Sequence, residues 1–277
     1  MSISFKNLLR SGTLAVWGAV SLSFVASGRV SSYLHPAFHP WTVASGLILV
    51  FLAASVIFFP AEEEDCPDEN CGASHGPRSM AGLLGVCSIL IVPLLAATAI
   101  SPSQFGAVAV MNRGLAESIE DLPGASAPLT EPALPTLDGS PGEETAVGDI
   151  AEYMAKNDSG QIIASTIDLL YAAQEPGMRR DFENREVELV GQFFPAKKNN
   201  PSGDRFSLVR MFVLCCAADA RPVAITVRTS SAESFPDMSW IKVIGKATFP
   251  MEGGRHVPVI EAATVSSTDA PQESFVY

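Results

Sequence analysis

Three apolar runs without a charged residue crowd the first hundred positions: Leu14 to Ala26, Trp41 to Phe59 and Met80 to Ile100. The second and third hold about 20 residues each, enough for a helix rising 1.5 Å per residue to cross about 30 Å of hydrocarbon. The first is charge-free from Ser11 to Gly28, between Arg10 and Arg29, close to the shortest length that spans. Spans are therefore expected at about 11–28, 41–59 and 80–100. Inside lipid the backbone must satisfy its own polar groups, so these runs can fold there only as helices. They account for a composition that is 47% hydrophobic with a mean hydropathy of +0.24, too apolar for an ordinary soluble protein.

Lys6 and Arg10 ahead of an apolar core, with Val25-Ala26-Ser27 after it, would also suit a secretory signal. Two further runs follow closely and favour an integral bundle in the cell membrane. Three spans put the chain's ends on opposite faces. Lys6, Arg10 and Arg78 on one side nearly balance Arg29 and Arg113 on the other, and the pair before the first span favours an inside N-terminus and an extracytoplasmic C-terminal region. The spans carry no Asp, Glu, Lys or Arg, the groups that line ion paths, so the chain is not expected to transport by itself. His35 and His39, with Tyr33 and Trp41 beside them, read as anchors at the water interface, a contact to a permeating substrate being the alternative. The net charge of −12, without a cluster of Lys and Arg, argues against nucleic acid as a partner.

Residues 1–120 thus read as a transmembrane helical region, with Phe105 to Ile119 continuing the third helix along the membrane surface. From 121 to 148 five prolines stand among Gly, Ser, Thr and acids, which suits an extended linker. Residues 149–277 suffice for one compact α+β domain. Asp149 to Lys156 and Ser165 to Ala173 read as helices, the latter capped by Ser165. Glu186 to Phe194, Arg205 to Leu214, Arg221 to Arg228, Ser239 to Phe249 and His256 to Val265 read as strands rich in Val, Ile and Phe. Five strands in about 100 residues suit a small OB-like β-barrel.

The cysteines are the candidate chemistry. Cys215-Cys216-Ala217-Ala218-Asp219 places two adjacent thiols near a carboxylate, a donor set for a divalent or soft metal ion such as zinc. Arg210 and Arg221 stand near enough in sequence to face the thiols and favour the thiolate. Neighbouring side chains in a strand point to opposite faces, so both sulfurs reach one ion only if the backbone bends. Otherwise Cys215 packs in the barrel and Asp219 caps a turn; a redox or vicinal-disulfide role is the third alternative. Cys66, Cys71 and His75 form a second set, rimmed by carboxylates from Glu62 to Glu69, in the loop between the second and third spans. Metal, a disulfide or a plain acidic connector all fit it. Cys87 reads as span packing, and His256 is the one histidine of the C-terminal domain. No nucleophile elbow, phosphate loop or HExxH helix is present, so no enzyme is expected.

Tyr33-Leu34-His35-Pro36, the stretch Phe206 to Arg210 leading into Cys215 to Val223, Trp240 to Gly245, and the end from Pro271 to Tyr277 together form a pattern. It resembles the YcgQ-type family of bacterial membrane proteins. The resemblance implies an N-terminal membrane bundle, a C-terminal β-rich domain, and a role as accessory subunit of a permease with a larger polytopic membrane protein as partner. Relatives often carry a His-rich loop where this chain has Cys66, Cys71 and His75. A membrane-anchored metal chaperone or sensor using Cys215 and Cys216 is the alternative function, and a thiol redox protein the third.

Overall fold

The computed structural model describes residues 5–59, 80–100, 105–122, 154–196, 200, 203–229 and 235–277. They fall into two compact units, Met1–Ser103 and Gln104–Tyr277. The loop holding Cys66, Cys71 and His75, nearly all of the expected linker and most of the helix expected at 149–156 lie outside the described residues.

The described part of the first unit consists of α1 (Phe5–Ala26), α2 (His39–Phe58) and α3 (Met80–Ile100) with short turns. All three are long and apolar enough to cross a membrane. The first starts before Ser11 and takes Lys6 and Arg10 into the helix, because long basic side chains can reach water from within a terminal turn. Glycine brings α1 and α2 together: a Cβ on Gly18 would stand 2.8 Å from the Gly46 carbonyl, and one on Gly46 would stand 2.9 Å from Leu22. Further along, the Ser11 hydroxyl donates to the Ala53 carbonyl at 2.7 Å, so the pair runs antiparallel. In the connecting turn the His35 Nδ1 accepts from the Ala37 amide and the His39 Nε2 sits 3.2 Å from the Leu34 carbonyl. Arg29 donates to the carbonyl of Thr98, holding that turn to the end of α3.

The second unit begins with a segment that does not prolong α3. Helix α4 (Ala107–Arg113) fully buries Val110 among Val209, Met211, Val213 and Ala224, and the Ala116 amide and carbonyl pair with Pro222 and Ala224. Phe105, Val110 and Leu115 are apolar enough to suggest a membrane surface, but the domain itself offers them an apolar face.

The strands in chain order are β1 (Ile162–Ile163), β2 (Glu186–Pro195), β3 (Arg205–Phe212), β4 (Arg221–Arg228), β5 (Trp240–Thr248), β6 (Met251–Glu252), β7 (Arg255–His256), β8 (Val259–Ser267) and β9 (Phe275–Val276). Antiparallel pairs β2–β3, β3–β4, β2–β5 and β5–β8, closed by a parallel β4–β8 pair, make the five-stranded OB-like barrel. Leu169, Phe182, Leu189, Leu208, Ile225, Ile241 and Ile260 fill it. Closure is tight at the β5–β8 bulge, where a Cβ on Gly245 would collide with the Glu261 carbonyl. Helix α5 (Thr166–Gln174) starts as expected: Ser165 and Asp168 form a reciprocal capping box. A further helix, α6 (Pro176–Phe182), follows at once; Pro176 at its first position was the signal for it. The last barrel strand begins at Val259 rather than His256, since Pro258 has no amide to give and His256 belongs to the β6–β7 hairpin.

Candidate metal centre

Strand β3 ends at Phe212, two residues earlier than the alternation suggested, and the chain bends through Leu214 and Cys215 before β4 starts at Arg221. A turn closes this connection, the Asp219 amide donating to the Cys216 carbonyl at 3.0 Å. Leaving the pleat removes the alternation that would have sent the sulfurs apart. The two Sγ atoms lie 3.6 Å apart, and one ligand atom from each of Cys215, Cys216 and Asp219 lies within 4.8 Å of the others. Two thiolates at about 2.3 Å from a tetrahedral zinc ion stand about 3.8 Å apart, so the observed sulfur spacing fits such an ion. Both cysteines are free thiols; Cys215 is exposed, Cys216 and Asp219 partly so. Cys215 is therefore not packed in the barrel.

Asp219 organises the turn. Its Oδ2 accepts from the Cys215 amide at 2.8 Å and its Oδ1 from the Leu214 amide at 3.3 Å, so the capping role and the ligand role coincide in one side chain. Slight burial pushes the Asp219 carboxyl up, but the Cys215 thiol and the backbone amides outweigh it and hold the carboxyl below its ordinary range. The same hydrogen bond to Asp219, helped by the neighbouring Cys216, pushes the Cys215 thiol up to about 12. A thiol held that high is a poor nucleophile near neutral pH, whereas a metal ion can displace its proton.

The arginines do not face the thiols as their positions in sequence suggested. Arg210 is buried and donates to the carbonyls of Val190, Glu273 and Phe275, with its guanidinium 5.2 Å from the Trp240 ring centre. Burial lowers its pKa to about 10, and it stays charged while fixing β9 to the barrel. Arg221 donates to the Arg113 carbonyl. The cation that reaches the turn is Arg113, whose Nη1 donates to the carbonyls of Ala217 at 3.1 Å and Ala220 at 2.6 Å. Nothing in the sequence marked it, because it precedes the turn by about a hundred residues and its partners are backbone. His256 stays apart from the thiols: its Nδ1 lies 2.7 Å from the Phe249 carbonyl, and it lines a separate cavity with Arg179 and Arg255. Among the described residues the Cys215 turn is the one cluster of metal-ligating groups.

A model of the DUF1980 N-terminal domain matches residues 9–116, and a model of the DUF1980 C-terminal domain matches residues 169–277. No curated relative matches the chain. Among solved structures, the crystal structure of a small single-stranded DNA-binding protein from Streptomyces coelicolor is similar at 13% identity, covering 31% of this chain and 93% of that one, with a TM-score of 0.23. So low a score says nothing about this chain's ligand.

Proposed function

We propose that this chain, which carries both domains of the DUF1980 family, is a membrane-anchored protein whose barrel binds a soft or borderline metal ion such as zinc through Cys215, Cys216 and Asp219. The observation behind the reading is the bend after β3, which aims two sulfurs and a carboxylate at one point. Three ligands in an exposed turn leave a fourth position open, which suits an ion handed on to another ligand better than a closed structural site. The full chain, purified in detergent, is expected to hold about one ion per barrel site, lost in a Cys215→Ser, Cys216→Ser variant. Equal metal content in the two proteins, read by elemental analysis, would sink the reading.

The resemblance to YcgQ-type proteins supports a second reading, an accessory subunit that docks its helices on a polytopic permease. The supporting observation is that positions 11–28, 41–59 and 80–100 carry no Asp, Glu, Lys, Arg or His, so an ion held at the barrel needs another chain to cross the bilayer. Purification of the tagged chain from native membranes should bring a polytopic protein with it; a clean single chain would count against this reading. In both readings the barrel is extracytoplasmic, and a membrane-impermeant thiol reagent should label the partly exposed Cys216 in intact cells.

A further inference from the structure

The geometry points to Arg113 as the positioning residue of the Cys215–Asp219 turn, so that docking of residues 105–116 on the barrel sets the affinity of the metal site. The inference rests on the metal reading above and adds what controls it.

The turn's thiols stand outside the core, and its internal bonds are the one the Asp219 amide donates to the Cys216 carbonyl and those the Asp219 carboxylate accepts from the Cys215 thiol and from the amides of Leu214, Cys215 and Cys216. Arg113 grips it from the side, one guanidinium nitrogen bonding to the carbonyls of Ala217 and Ala220, which bracket Asp219. With those two carbonyls fixed, the Asp219 side chain has a fixed base from which to order both the Cys215 amide and any ion.

Arg113 is itself held on three sides. Its guanidinium lies 5.0 Å from the centre of the Phe105 ring, which packs at 6.0 Å on Phe275. Its carbonyl accepts from Arg221 at 3.1 Å, the first residue of the strand leaving the turn. Behind it, the Ala116 amide donates to the Pro222 carbonyl and the Ala116 carbonyl accepts from Ala224. The clamp therefore exists only while the whole segment lies on the barrel. In sequence this segment is the next described element after α3.

Outer partners that orient ligands change metal affinity about 10–100-fold when removed. The test uses the full chain in detergent, zinc ion alone as probe with a chromophoric chelator as competitor, and three proteins: wild type, Arg113→Gln and Arg113→Lys. The glutamine variant is expected to bind zinc about 10–100-fold more weakly. Its Leu214 and Cys215 amides should lose hydrogen-exchange protection while the barrel's melting midpoint holds. Lysine, which can still bond to one carbonyl, should recover part of both effects; it also serves as the readout if the glutamine variant fails to fold. Unchanged zinc affinity and unchanged amide protection in the glutamine variant would overturn the clamp while leaving the metal site standing. A wild-type chain that binds no zinc would overturn the affinity claim together with the metal reading, and the two failures are thus told apart.

Discussion

The helical unit and the barrel send their apolar side chains in opposite directions. In the helices large residues such as Trp41, Phe51 and Ile89 point outward, each at least 70% exposed, and specificity rests on a few close approaches such as Gly18 to Gly46. In the barrel they point inward, with Leu189, Leu208, Ile225 and Ile241 almost fully buried, and specificity rests on alternation around a closed sheet. In the first case a buried polar bridge, the Ser11 hydroxyl donating to the Ala53 carbonyl, supplements those close approaches. The second has ends and turns where polar chemistry can collect, and the Cys215 turn is such an end. The difference teaches that the two units are built by opposite rules, one turning its apolar side chains outward and the other keeping them inside.

That contrast can be broken most forcefully at Gly245. A valine there drives its side chain into the Glu261 carbonyl and should cost the barrel about 3 kcal/mol or more, measured as a loss of its cooperative melt by circular dichroism. The helices should be unaffected; a variant that melted both units together would contradict the division. Gly18→Leu is the counterpart, forcing α1 from α2 at a cost of about 2 kcal/mol. Fluorescence of Trp17 and Trp41 in a Trp240→Phe background should report it, with the barrel's melt unmoved. Least of all, Ser165→Ala removes the α5 capping box and should lower barrel stability by about 1 kcal/mol, seen as a small fall in melting midpoint.

Much of the first unit was legible because an apolar run of about 20 residues has few other fates. The barrel strands were legible too, since Glu186 to Pro195 and Arg221 to Arg228 alternate or run apolar between Gly, Pro and Asn clusters. What escaped was placement over long sequence distance. Phe105 to Leu115 has the composition of an interfacial helix, and only the barrel's apolar flank shows where it goes. For the same reason Arg113 was invisible while Arg210, nearer in sequence to the thiols, looked like their partner. The sequence singled out Cys215, Cys216 and Asp219; whether they converge depended on β3 ending at Phe212, a matter of β9 and Asp219 taking over the backbone bonds of Val213 to Cys215.

Acid should act on the turn through Asp219. Its carboxyl sits below the ordinary 3.8, so the order it gives is complete above that value and is lost as pH falls through the lowered one. Metal binding at the turn is expected to respond through the thiol instead, because the Cys215 proton must leave before the sulfur can ligate.

The most direct test is a cadmium titration of the full chain in detergent at several pH values, followed by thiolate-to-metal charge-transfer absorption. The account predicts a band that the Cys215→Ser, Cys216→Ser variant lacks, with an affinity rising at least about tenfold per pH unit between about pH 6 and 8. A band of equal strength in that variant, or an affinity indifferent to pH, would contradict it.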